Sequence, residues 1–186
     1  LQIINAMFDD EVSKVTDSYD RWTSFLRTAS NNFKYNFHEQ ILIYRQRPDA
    51  TACAEIGFWN DKMNRWVNRG ASGIALLDYS GNHQRLRYVF DVSDTNSFYG
   101  YEVPRWEVKD RYHDEVAEAL TNAFGDTAEG GLESVIDDTA RNMVEDNILD
   151  YLSTVNDSKY GSFLEELDDD NISVILKNAL SASIGY

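Results

Sequence analysis

The residues best suited to bind a ligand form an aromatic and basic cluster in the first half of the chain. Six cations and four aromatic rings alternate there before a glycine, and these residues are Lys34, Tyr35, Tyr44, Arg45, Arg47, Trp59, Lys62, Arg65, Trp66, Arg69 and Gly70. Single-stranded nucleic acid is held by basic groups that follow the phosphates and by aromatic faces on which unpaired bases stack. Gly70 would let backbone amides approach a phosphate closely. The cluster therefore makes single-stranded DNA binding a hypothesis.

Each residue of this cluster also has a purely structural interpretation. Tryptophans in small domains belong mostly to the core, and for Trp59 and Trp66 the sequence favours neither burial nor exposure of the ring. Arg45 and Arg47 lie at the predicted end of a helix, where a cation also favours the helix dipole. In a regular strand Arg65 and Trp66 would face opposite sides, so phosphate contact and base stacking need not share a face.

Charge is distributed unevenly along this acidic chain, whose formal net charge is -15. Residues 21–90 contain ten basic and five acidic side chains, a net charge of +5, whereas residues 91–186 carry -16. The acidity therefore belongs mostly to the second half, and the aromatic cluster lies in the one basic segment.

Motifs for catalysis and for metal binding are missing. His38 and Glu39 begin a zinc-protease pattern that fails at Leu42, where a second histidine is needed. The single Cys53 cannot form an intramolecular disulfide and is predicted to be a small buried apolar group. We therefore predict no enzyme, no metal, no cofactor and no small-molecule substrate. The absence of a long apolar run or a signal-peptide pattern predicts a soluble cytoplasmic protein that does not associate with membranes.

Hydrophobic spacing predicts helices at the start of the chain. Apolar residues recur every three or four positions over residues 10–31, which predicts one amphipathic helix carrying Val12, Val15, Tyr19, Trp22 and Leu26 on one stripe. A second helix is predicted from Asn36, with Glu39 completing a capping box, to Arg47, because Pro48 disfavours helical geometry in the residue before it. A third, short helix is predicted over residues 51–57.

Strands follow, and then helices again. The runs RWVN, GIALLDY and RLRYVFDV predict a small antiparallel sheet, with residues 80–83 as a tight hairpin turn. Beyond residue 109 the spacing is helical, and the last helix is predicted to start with Asn171 as its cap, after three aspartates. We predict an α+β fold in which N-terminal helices pack on the sheet, with a mixed module over residues 1–108 and an acidic all-helical extension over residues 109–186.

The run YNFHEQILIYRQRPDATACAEIGFWN, followed by RWVNRGASGIALLDY, resembles the N-terminal module of ArdC-type antirestriction proteins. It resembles still more the N-terminal region of LtrC-like and other large proteins of conjugative elements. The shared pattern is a Tyr-Asn start, an apolar helix, a tryptophan, and a basic residue with glycine before an apolar strand, and it covers about residues 20–92.

The resemblance implies a non-specific single-stranded DNA-binding domain of a plasmid or transposon protein that acts in conjugation or antirestriction. It also implies that any protease, methylase or helicase activity would belong to further domains of a larger polypeptide. The strongly acidic half leaves an alternative open, because acids spaced along helices can imitate DNA phosphates. In that alternative the chain is a protein-interaction or DNA-mimic module that binds a restriction enzyme or other domains.

Overall fold

The computed structural model describes residues 1–78, 85–98, 100, 103, 108–125 and 130–186. The chain forms two compact units, Leu1–Trp106 and Glu107–Tyr186. The division therefore lies two residues before the predicted boundary at residue 108. The first unit contains helices and antiparallel strands and the described part of the second contains only helices, so the predicted α+β class with a helical C-terminal region is confirmed.

Within its described residues the first unit contains four α-helices and five strands. The helices are α1 (Gln2–Lys14), α2 (Tyr19–Asn31), α3 (Phe37–Gln46) and α4 (Ile56–Met63). The strands are β1 (Cys53–Ala54), β2 (Arg65–Val67), β3 (Ile74–Asp78), β4 (Arg85–Asp91) and β5 (Thr95–Ser97). They pair antiparallel in two groups, a three-stranded sheet in the order β1-β4-β3 and a two-stranded ribbon of β2 and β5.

The first predicted helix is wrong in its extent, because residues 10–31 belong to two helices rather than one. The backbone becomes extended at Ser18, whose hydroxyl accepts a hydrogen bond from the Arg21 N–H at 3.3 Å and caps α2. The break also changes which side chains are buried. Val15 and Phe25 lie in the core, whereas Tyr19, predicted on the buried stripe, is exposed.

The second predicted helix is confirmed as α3. The Asn36 side chain accepts from the Glu39 N–H at 3.0 Å, the Glu39 carboxylate accepts from the Asn36 N–H at 3.4 Å, and the helix ends before Pro48. Apolar α3 side chains pack against β3. The side chain of Gln46 also bonds both the N–H and the C=O of Ala75, at 2.9 and 3.0 Å, so α3 covers the outer edge of that strand.

The predicted short helix over residues 51–57 is wrong. Cys53 and Ala54 form β1, and α4 begins only at Ile56. The cause is the buried carboxylate of Asp91 at the end of β4, which accepts hydrogen bonds from the N–H groups of Thr51 and Ala52 at 2.7 and 2.9 Å. These bonds hold the chain extended beside β4, where Cys53 and Ala54 pair with Asp91 and Phe90.

The strand predictions are confirmed in position, but one pairing is wrong: RWVN forms β2, which pairs with β5 in a separate ribbon and not with the other two predicted strands. Strands β3 and β4 pair from Ile74 with Val89 to Asp78 with Arg85, and Leu76 and Val89 are fully buried. The predicted hairpin turn at residues 80–83 lies outside the described residues.

The second unit contains four α-helices in its described part. They are α5 (His113–Phe124), α6 (Leu132–Asp146), α7 (Ile148–Ser158) and α8 (Asp169–Gly185). The predicted cap of the last helix is wrong: α8 begins earlier, and the cap is Asp168, whose carboxylate accepts from the Asn171 N–H at 2.8 Å. Among the described helices of the whole chain, none is both long and apolar enough to cross a bilayer.

We expect Asp91→Asn to destabilise the first unit by about 1–3 kcal/mol, because it removes a charge that accepts several buried hydrogen bonds. Burial would raise the pKa of Asp91, but hydrogen bonds from Ser93, Ala52 and Thr51 outweigh burial and lower it. A carboxylate whose pKa is lowered in the folded state binds fewer protons when folded. Its contribution to stability is complete above its unfolded-state pKa of about 3.9, and it is lost as the pH falls through the lower folded-state pKa.

Urea unfolding followed by tryptophan fluorescence measures this effect, since all four tryptophans lie within Leu1–Trp106. The difference between wild type and Asp91→Asn should shrink as the pH falls below about 4. The matched control is Asp49→Asn, at an exposed carboxylate. Equal effects of the two variants would contradict the proposed role of Asp91.

Candidate nucleic-acid interface

Much of the positive charge of residues 21–90 is already neutralised inside the first unit. Four arginines are ion-paired with carboxylates: Arg21 with Glu11, Arg45 with Asp10 and Glu11, Arg47 with Asp49 and Asp94, and Arg87 with Glu39 and Glu55. The Arg47 guanidinium donates to Asp94 at 2.5 Å and to the Ser93 hydroxyl at 2.8 Å, and the bond to Asp94 raises its pKa further. Arg45 and Arg47 therefore hold helices and loops together, and neither offers a free charge to a phosphate.

Three of the four predicted stacking rings are core residues. Trp59 is only 2% exposed, and its indole Nε1 donates to the carbonyl of Phe90 at 2.9 Å. Tyr35 and Tyr44 are also buried, and the hydroxyl of Tyr35 donates to the carbonyl of Cys53 at 2.9 Å. None of these rings presents a face on which a base could stack. Trp66, in contrast, is 50% exposed.

The β2 strand separates its arginine from its tryptophan, as strand alternation predicts. Arg65 is half-buried, and its Nε and Nη2 donate to the side chain and carbonyl of Thr95 at 2.7 and 3.1 Å. Trp66 points to the other face of the ribbon, opposite the exposed Asn96. The ring is therefore available on the outer face of the ribbon, while the guanidinium of Arg65 is held on the inner one.

An exposed aromatic ring that the sequence analysis did not select lies on α4. Phe58 is 42% exposed, and the Lys34 ammonium lies 5.4 Å from its ring centroid. Lys62 follows one helical turn later on the same helix and is also exposed. The same ammonium lies 5.3 Å from the ring of Tyr35, and burial lowers the pKa of Lys34. An exposed ring with one lysine over it and a second lysine one helical turn away is the combination that the sequence analysis sought at Trp59.

The signal that would have identified Phe58 was its spacing from Lys62. Residues four apart lie one turn apart on the same face of a helix, but the helix was predicted over residues 51–57, which excludes both Phe58 and Lys62. With α4 at Ile56–Met63, Trp59 turns inward and Phe58 outward. The position of α4 along the chain thus explains both the burial of Trp59 and the exposure of Phe58.

Helix α4 passes directly into β2. Asn64 links them in a left-handed conformation (φ 49°), with its N–H bonded to the carbonyl of Trp59. The helix and strand pack against each other, and the exposed Arg69 and Gly70 follow β2, with Gly70 at φ 89°. We define the α4–β2 surface as Lys34, Phe58, Lys62, Trp66 and Arg69.

The cations of the α4–β2 surface remain available. Over residues 1–78 and the other described ranges, Lys34, Lys62 and Arg69 form no ion pair with a carboxylate. The predicted site residues therefore separate into two groups. Lys34, Lys62, Trp66, Arg69 and Gly70 are exposed, whereas Tyr35, Tyr44 and Trp59 are buried and Arg45, Arg47 and Arg65 are bonded to neighbouring side chains.

A metal site or a reactive thiol in the described part of the chain would be a functional site of another kind. No cluster of three His, Cys, Asp or Glu side chains there has an arrangement that could bind a metal ion. Cys53 is buried as predicted, and burial raises its pKa to about 12. Its thiol is therefore protonated at neutral pH.

Comparison with known proteins gave no match, whether to a protein-family model, a curated protein or a solved structure. What the α4–β2 surface binds has to be inferred from its own chemistry.

Truncation of Trp59 on α4 should reduce the free energy of unfolding strongly, whereas truncation of Trp66 on β2 should hardly change it. Trp59→Ala should cost about 3–5 kcal/mol of unfolding free energy, because it leaves a cavity and an unpaired carbonyl on Phe90. Trp66→Ala should change it by less than about 0.5 kcal/mol, since half of the side chain is in water. Urea unfolding followed by fluorescence measures both, and a large loss in Trp66→Ala would show that its ring has a packing role instead.

Proposed function

We propose that the unit Leu1–Trp106 binds single-stranded DNA without sequence specificity through the α4–β2 surface. The observation that carries this proposal is the exposed ring of Phe58, with the ammonium of Lys34 5.4 Å from its centroid and Lys62 one turn away. A base stacked on the ring would place its flanking phosphates within reach of the two lysines.

The nature of the exposed groups favours single strands over duplex. Phe58 and Trp66 offer aromatic faces, and a base can stack on such a face only when it is unpaired. Lysines bind phosphates as point charges, and phosphate contacts carry no sequence information. Both features support binding that depends on the backbone and on stacking rather than on sequence.

Charge segregation makes such binding possible in an acidic chain. Residues 107–186 contain nineteen acidic and five basic side chains, a net charge of -14, whereas residues 1–106 have a net charge of -1. Nearly all the net negative charge is thus carried outside the proposed DNA-binding unit. Within the unit, Glu11 of α1 and Glu39 of α3 are ion-paired with arginines, whereas Lys34, Lys62 and Arg69 of the α4–β2 surface are exposed.

The resemblance of residues 20–92 to ArdC-type and LtrC-like N-terminal modules supports the same function. Mobile DNA that enters a recipient cell as a single strand is exposed to host restriction enzymes, and a protein that coats it would act in the cytoplasm. We propose no catalytic activity for this chain, and the proposed role requires neither a metal nor a cofactor.

A second candidate function concerns the unit Glu107–Tyr186, which we propose as an acidic protein-interaction or DNA-mimic module. The observation in its favour is the net charge of -14 over eighty residues, which would attract basic protein surfaces and repel nucleic acid. The two functions are compatible because they belong to different units.

The double variant Lys62→Ala with Arg69→Ala should weaken binding of a mixed-sequence oligonucleotide and flatten its salt dependence. Each phosphate contact on a single strand contributes about -0.7 to the slope of log K against log salt, so the slope should become shallower by about 1.4. Fluorescence anisotropy titrations at several salt concentrations measure this slope. The matched control is Lys109→Ala with Arg111→Ala, which removes the same charge from the acidic unit. Equal changes in both double variants, or no binding by wild type at low salt, would contradict the proposal.

Phe58→Ala should weaken binding about 5- to 150-fold, the equivalent of about 1–3 kcal/mol for one stacked base, while leaving the salt slope unchanged. Tyr19→Ala is the matched control, because its ring is also exposed but lies on α2. The same titration measures both variants. The stacking role of Phe58 is refuted if the two bind DNA equally well.

A further inference from the structure

Two large aromatic rings project into solvent from the connection between α7 and α8. Tyr160 is 90% exposed and Phe163 is 80% exposed, and only two residues separate them. Single exposed apolar side chains are normal on protein surfaces, but paired rings on one short connection are the type of residue that anchors protein interfaces.

The backbone that carries the two rings is ordered by its own hydrogen bonds. Lys159 Nζ donates to the carbonyl of Leu167 at 3.2 Å across the connection. The N–H of Gly161 donates to the Glu165 carboxylate at 2.8 Å, and the hydroxyl of Ser162 donates to the carbonyl of Lys159 at 2.6 Å. The rings are thus presented on a backbone fixed before binding, so a partner that covers them would lose little conformational entropy.

The charge around the rings selects among partners. Residues 157–170 contain six acidic side chains and one lysine, a net charge of -5. Such a field repels the phosphates of nucleic acids and of anionic lipids, and it attracts segments rich in lysine and arginine. The carboxylates of Glu166 and Asp157 are exposed and can form ion pairs with lysines and arginines of such a segment.

We propose that Tyr160 and Phe163 dock a basic amphipathic helix of a partner protein. The apolar stripe of that helix, with residues spaced three and four apart, would cover the two rings, and its flanking lysines and arginines would pair with Asp157, Glu166 and Asp168. This inference rests on the second candidate function above and gives it a site and a class of partner.

The test uses the full chain and two synthetic peptides of eighteen residues made of leucine, lysine and arginine. In one peptide leucine occupies a single helical face, and in the other the same composition is scrambled. Isothermal titration should show the amphipathic peptide binding at least about tenfold more tightly than the scrambled one, a difference of about 1.4 kcal/mol. Tyr160→Ser with Phe163→Ser should abolish this preference, and circular dichroism of that variant checks that the helices remain folded.

The matched control is Tyr19→Ser with Phe98→Ser, which removes two rings of similar exposure from the other unit and should retain the preference. If wild type binds both peptides equally, charge alone governs binding and the docking of the rings is refuted. If wild type binds neither peptide, the second candidate function, an acidic protein-interaction module, is itself refuted. Self-association of wild type in sedimentation experiments that is lost in Tyr160→Ser with Phe163→Ser would show that the rings bind a second copy of the chain, and this would also overturn the proposal.

Discussion

The buried carboxylate of Asp91 is the interaction on which the arrangement of the first unit depends. It is 1% exposed and satisfies amides on both sides of it, those of Thr51 and Ala52 before β1 and that of Ser93 after β4. A buried charge is tolerated only with such a complete set of partners. The buried side chain of Asn32 extends the same network by accepting from the Cys53 N–H and donating to the carbonyl of Ala50. Together these groups fix β1, and β1 fixes where α4 begins.

The position of α4 in turn decides which aromatic ring reaches solvent. Because the helix starts at Ile56, the indole of Trp59 reaches the carbonyl of Phe90 on β4, and Phe58 points away from the sheet toward Lys34. A start one residue earlier would place Phe58 where Trp59 now lies and turn Trp59 away from that position, since neighbouring residues on a helix differ by about 100°. The candidate surface is therefore a consequence of a polar interaction in the core rather than of surface residues alone.

Local rules were sufficient for much of the fold. The capping box of Asn36 and Glu39, the helix end before Pro48 and the strand alternation at Arg65 and Trp66 involve residues close in sequence, and each was predictable. Two errors were local, because Ser18 and Asp168 cap α2 and α8 through residues only three positions away. The other errors arise where partners are distant. Asp91 lies about forty residues from the amides it orders, and the partner of Arg47 is Asp94, so no spacing rule reveals either contact. For the same reason the sequence predicted a basic segment but could not tell its paired arginines from its available lysines.

The distribution of charge also constrains how the two proposed functions can coexist. At physiological salt the Debye length is about 8 Å, so a phosphate bound at Lys34 and Lys62 responds to these two cations far more than to carboxylates further away. As salt is removed, screening weakens and the repulsion from the net charge of -14 in the second unit reaches further. The attraction of the lysines and the repulsion of the acidic unit thus both increase at low salt. If the unit binds DNA as proposed, its affinity should depend on contact with the α4–β2 surface rather than on long-range steering.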